Sequence, residues 1–192
     1  MTENKTANPG AEVPIGDKVR FLSDPGTYVH GPAEVEIVET HMSWVFLAGP
    51  KVFKLKKPVC YDFLDFSTLS KRAVAVRDEV ELNRRLAPGV YAAPRPLVIG
   101  PDGRLSLDAS EGTVVEWLVE MRRLPEGRNL EAMIAAGALT PAHIGQVAQV
   151  LKGFYRALPP VEIAPEDYAA QFAAEYAKTR AVLTDPALKL DE

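Results

Sequence analysis

A single cysteine, Cys60, stands in the whole chain. That excludes an intramolecular disulfide framework and any thiolate metal cluster. A lone thiol fits a reducing compartment, and the expected location is cytoplasmic. No apolar run approaches the roughly 18 residues that cross a bilayer, so no membrane association is expected. The opening MTENKTANPGAEVP has no apolar stretch behind a basic start and does not read as a secretory signal. Positive charge is also short. The 22 Lys and Arg are outnumbered by 26 Asp and Glu, giving a net charge of −4. Bulk electrostatic attraction to nucleic acid is thereby removed. Internal repeats and low-complexity segments are missing as well.

What is present is an ordinary globular composition, 47% apolar and 25% charged over 192 residues. That is enough to bury a core without staples, in one domain or one and a half. Residues 1–14 are polar and rich in Gly, Pro and Asn, the composition of a flexible tail. A short helical pattern from Gly16 to Tyr28 is interrupted by Asp24-Pro25-Gly26. From Val35 the periodicity changes to two. VEIVET, SWVFLAG and KVFKLKK read as a strand, a bend and a hairpin of two more strands around Gly49-Pro50. Phe63 to Phe66 form an apolar link. Ser67 is the expected cap of a long helix running to about Leu86, with Leu69, Ala73, Val76 and Val80 at helical spacing. Ala87-Pro88-Gly89 stops it. Two further strands are expected, Arg95 to Ile99 and Val114 to Glu120. After Leu124-Pro125 the pattern is helical only: Leu130–Ala136, Pro141–Ala157 and Glu166–Leu183. The expectation is an α+β chain of two lobes. A five-stranded antiparallel sheet with one inserted long helix occupies residues 15–124, and helices occupy 125–192.

Four segments can carry chemistry. In VFKLKK, alternation along a strand puts Val52, Lys54 and Lys56 on one face. Ammonium groups there suit phosphate oxygens, although lysines also guard edge strands against aggregation. Glu79 lies on the following helix, 25 residues after Lys54, where a carboxylate can pair with a strand lysine and aim it. It can equally belong to a solvated face with Glu81, Arg84 and Arg85. The bend THMSW contains no glycine, so an anion there would be met by Ser43 and main-chain amides; His41 can reach a phosphate or be an ordinary polar surface residue of the turn. VVEWLVEMRRLP is an apolar strand entering the helical region. Its Trp117 is a core candidate.

The strings ETHMSWVFLAG, VFKLKKPV, FLDFSTLSKR, LNRRLAP and VEMRRLP resemble the uncharacterised aminoglycoside-phosphotransferase-like proteins, some of which carry an additional P-loop ATPase domain. The similarity runs from about Tyr28 to about Thr140 and more loosely beyond. It implies a protein-kinase-like fold and, in complete members, ATP-dependent phosphoryl transfer to a small molecule with magnesium. By position, Lys54 would hold the nucleotide phosphates, because Val52 two residues earlier can then roof the adenine. Glu79 would be its helix partner, Ser43 and nearby amides would cover the phosphates, and Glu120, Met121 and Arg122 would form the hinge that bonds the adenine edge. The resemblance also requires an HGD-type loop and a later metal-binding Asp. His30-Gly31 is followed by Pro32 and precedes the sheet, and no Asn or Asp after Ala157 stands in such a context. The expected function is therefore the ATP-binding part of a small-molecule phosphotransferase, inactive alone and with an incomplete helical lobe. The alternative is a non-catalytic nucleotide-binding or protein-interaction module. The apolar stripes Ile144, Val147, Val150, Leu151, Phe154 and Tyr168, Phe172, Tyr176, Val182 each need a partner, so self-association or fraying beyond Asp185 is expected.

Overall fold

The computed structural model describes residues 13–108, 111–160 and 162–186. The expected tail at residues 1–14 and the expected fraying beyond Asp185 lie almost wholly outside them. In chain order the elements are α1 (Ile15–Ser23), β1 (Val35–Glu39), β2 (Ser43–Ala48), β3 (Lys51–Lys56), β4 (Cys60–Tyr61), β5 (Leu64–Asp65), α2 (Leu69–Arg84), β6 (Arg95–Ile99), β7 (Leu105–Ser106), β8 (Thr113–Arg122), α3 (Leu130–Ala135), α4 (Pro141–Ala157) and α5 (Pro165–Leu183). The class is α+β, as the periodicities indicate.

The main sheet has the order β1-β2-β3-β8-β6-β7, and all its pairs are antiparallel. It contains six strands rather than the expected five. After Pro101-Asp102, Gly103 takes a positive φ of 76°, and the amide of Gly100 donates to the carbonyl of Arg104 at 2.9 Å. The chain thus folds back on β6 as β7, whose two residues are too few to show an alternating pattern. The apolar link around Phe63 is likewise a small separate hairpin of β4 and β5.

Strand alternation divides the core in two. Phe53 and Leu55 of β3 and Leu118 of β8 pack with Leu22 of α1, Tyr28, Phe46 and Leu97. Val119, with half-buried Trp117 and Met121, packs under Val76 and Val80 of α2. Burial of such side chains stabilises by about 1.5–3 kcal/mol each.

A buried ionic cluster crosses this core. Glu116 of β8 is 0% exposed and accepts from Lys18 Nζ of α1 at 2.9 Å and from Arg72 Nη2 of α2 at 2.8 Å. Lys18 also donates to the carbonyl of Val115 at 2.8 Å, and Arg72 Nη1 to the carbonyl of Phe66 at 3.0 Å. One carboxylate thereby fastens two helices to one strand.

The cap of α2 is Thr68 and not Ser67. Thr68 Oγ1 accepts from the amide of Lys71 at 3.3 Å. Ser67 is one residue too early, and its hydroxyl and amide both donate to Asp65 Oδ1, at 2.6 and 2.9 Å. The helix ends at Arg84, so Leu86 lies beyond it.

Two compact units divide within α4, Met1–Val150 and Leu151–Glu192. The apolar residues Ile144, Val147 and Val150 of α4 are exposed, as are Tyr168, Phe172 and Tyr176 of α5.

Removing Glu116 leaves two buried cations without their counter-charge. Glu116→Ala is expected to destabilise the fold by about 3–5 kcal/mol, read from urea unfolding. By the same assay Thr68→Ala should cost about 1 kcal/mol and Ser67→Ala clearly less.

Candidate functional site

The site is assembled by β3 and α2. The period of two along β3 turns Lys54 and Lys56 toward α2, away from the face carrying Phe53 and Leu55. On α2, Val76 and Val80 are fully buried against β8, which fixes the rotation of the helix and brings Glu79 over the lysines. Glu79 Oε1 accepts from Lys54 Nζ at 2.9 Å, and Glu79 Oε2 accepts from Lys56 Nζ at 2.7 Å. Both carboxylate oxygens are therefore engaged by ammonium groups from one strand.

The two lysines differ in setting. The Lys54 side chain is 30% exposed, whereas that of Lys56 is 7% exposed. Lys56 Nζ also lies 4.7 Å from the centre of the Phe66 ring, a cation–π contact. Burial pushes the Glu79 carboxyl upward, but hydrogen bonds from Lys56 and Lys54 and their charges outweigh it and hold the group below its ordinary value.

Around this pair the structure places the other expected residues as follows. Val52 is buried and lies opposite Met121 across the β3–β8 ladder. Ser43 is buried and lies opposite Lys56 across the β2–β3 ladder. The amide of Ser43 is already donated to Thr40 Oγ1 at 3.0 Å, and its carbonyl accepts from the amide and hydroxyl of Thr40. The amides of His41 and Met42, at the tip of this turn, have no backbone acceptor among the described residues.

Glu120 does not join the Lys54–Glu79 group. It lies opposite Phe53, and its buried carboxylate accepts from Lys51 Nζ and Arg95 Nε, both at 2.7 Å. Its carbonyl accepts from the amide of Ala92, and the amide of Arg122 donates to the carbonyl of Val90, both at 2.8 Å. Met121 forms a bridge with Tyr91. The three expected hinge residues are thus the last part of a strand with backbone partners on its flank. Lys51 and Arg95 line a cavity of about 300 Å³ with Tyr28, Phe53, Leu107 and Asp108, on the α1 side of the sheet.

Sequence reasoning missed this second carboxylate pair and also the Lys18–Glu116–Arg72 cluster. In each case the signal was a charged residue on an otherwise apolar stripe: Arg72 stands four before Val76, and Glu116 and Glu120 alternate with Leu118. Among the described residues no group of three His, Cys, Asp or Glu side chains could hold a metal ion. No helix among them is long and apolar enough to cross a membrane.

Over 122 residues the chain is 36% identical to uncharacterized proteins of Mycobacterium tuberculosis and Mycobacterium bovis. The match covers 64% of this chain and 22% of those relatives, so the chain matches about a fifth of their length. No family model matches the chain. No solved structure matches it.

Because the folded Glu79 titrates below its unfolded value, it contributes stability above that value and loses it as the pH falls through the folded one. The difference in urea midpoint between wild type and Glu79→Gln should be full at pH 7 and shrink steadily below about pH 4.5. A difference that stays constant down to pH 3 would contradict the double ion pair.

Proposed function

We propose that this chain binds ATP, as the nucleotide-holding part of a kinase-like phosphotransferase that acts on a small molecule in the cytoplasm. One observation carries the reading: a strand lysine, Lys54, contacts a carboxylate of the following long helix, Glu79, at 2.9 Å. Phosphoryl transfer is served chiefly by positioning and charge, and a strand lysine aimed by a helix glutamate is the device kinase folds use to hold nucleotide phosphates. The partial exposure of Lys54 keeps its ammonium within reach of solvent-borne anions.

Neighbouring features support the same reading. Val52 and Met121, facing each other across β3 and β8, offer an apolar surface for a base. The amides of His41 and Met42 sit at the tip of the turn before β2, where backbone donors can meet phosphate in place of a glycine-rich loop. Glu120 and Arg122 take a supporting part in this scheme, since their backbone groups are spent within the sheet. Magnesium would accompany ATP in the proteins that the sequence resembles. The groups at this site are two lysines and one glutamate, a set suited to phosphate oxygens and not to a metal ion. No catalytic residue is assigned in this chain, so the proposal is nucleotide binding rather than transfer.

Isothermal titration with ATP tests it. Saturable binding is expected, and Lys54→Ala should weaken it by about 1–3 kcal/mol, roughly five- to 150-fold. Absence of saturable binding by the wild-type chain, or equal affinity of the variant, would overturn the reading.

A further inference from the structure

The double contact on Glu79 has a consequence for how Lys54 could ever serve a ligand. A carboxylate held by one lysine loses its only partner when that lysine turns to a phosphate. A partly buried charge left in that state opposes binding. Here Glu79 has a second ammonium on its other oxygen, and the two lysines are not equivalent. Lys54 is the exposed member. Lys56 is 7% exposed, 2.7 Å from Glu79 Oε2, stacked on the Phe66 ring and opposite buried Ser43 in the ladder. Phe66 is itself held, its carbonyl accepting from Arg72 at 3.0 Å within the Glu116 cluster. The Lys56 ammonium is thus held by both a carboxylate and a ring in a buried setting, whereas the more exposed Lys54 has one hydrogen bond to give up.

We propose that Lys56 is a positioning residue: it anchors Glu79 through Oε2, so that Lys54 can be drawn to a ligand phosphate while the carboxylate stays charged and in place. The phosphate part of this inference rests on the nucleotide reading above. The anchoring part stands on geometry alone. It divides two lysines that strand periodicity makes look alike into a ligand-facing group and a fixed counter-ion.

Two measurements on the full chain test the division. In the absence of nucleotide, the carboxyl carbon of Glu79 is titrated by NMR in wild type, Lys54→Met, Lys56→Met and Lys56→Arg. Among the described residues, Lys54 and Lys56 are the charged groups bonded to it. Lys56→Met is expected to raise its midpoint more than Lys54→Met does, and Lys56→Arg to keep it low. If Lys56→Met does not fold, Lys56→Gln takes its place with the same expectation. An equal or larger rise in Lys54→Met overturns the anchor. The second readout is the ratio of ATP to adenosine affinity, which isolates the phosphate contribution. It should fall at least about tenfold in Lys54→Met and less than about threefold in Lys56→Met. The reverse order would make Lys56 the phosphate ligand and overturn the proposal. If wild type does not prefer ATP to adenosine, the nucleotide reading fails and takes the phosphate part with it, while the carboxyl titration still decides the anchor.

Discussion

The carboxylate of Glu116 is the point to which the two helices flanking the sheet are tied. It is fully buried, and so are the ammonium of Lys18 and the guanidinium of Arg72 that bracket it. Such a cluster is costly to desolvate, and well-packed apolar residues of the same volume often stabilise as much. What it adds is placement. Hydrogen bonds of 2.8 to 3.0 Å admit few arrangements of α1, α2 and β8 relative to one another. The rotation of α2 is then set at one end by Arg72 and along its length by Val76 and Val80, and Glu79 is carried to the lysines of β3 by that rotation.

A single motif recurs through the sheet: one glutamate between two cations. Glu116 has Lys18 and Arg72, Glu120 has Lys51 and Arg95, and Glu79 has Lys54 and Lys56. Arg95 of the Glu120 group also reaches Asp108 Oδ1 at 3.6 Å. Depth distinguishes the three groups. The Glu116 group is sealed and can only hold structure, while the Glu120 group presents Lys51 at 41% and Arg95 at 33% exposure and the Glu79 group presents Lys54 at 30%.

The elements were legible in the sequence because each depends on its own periodicity. Alternation marked β1, β2 and β3, apolar runs either side of a Pro-Asp-Gly turn marked β6 and β8, and helical spacing between Ser67 and Ala87-Pro88-Gly89 marked α2. The approach of Lys54 to Glu79 was legible only through resemblance, since spacing alone allowed a solvated face equally well. The cap was misplaced by one residue because Ser67 and Thr68 are both competent, and the choice falls to Asp65, which takes the serine. The pairing within the ionic clusters was not legible, although charged residues on apolar stripes mark their members. Lys18 and Glu116 lie 98 positions apart and Arg72 and Glu116 lie 44 apart, so no local pattern links them.

The shared carboxylate also shapes how this sequence can drift. At Glu79, substituting one lysine leaves the acid with a partner, so each single change is cushioned. Substituting both strands the acid in a half-buried site, and the combined cost exceeds the sum. In their effect on stability the two positions are therefore epistatic: loss of the second lysine costs more than loss of the first as long as Glu79 is present. Across descendants of such a chain, the pattern at positions 54, 56 and 79 would be correlated change rather than independent conservation.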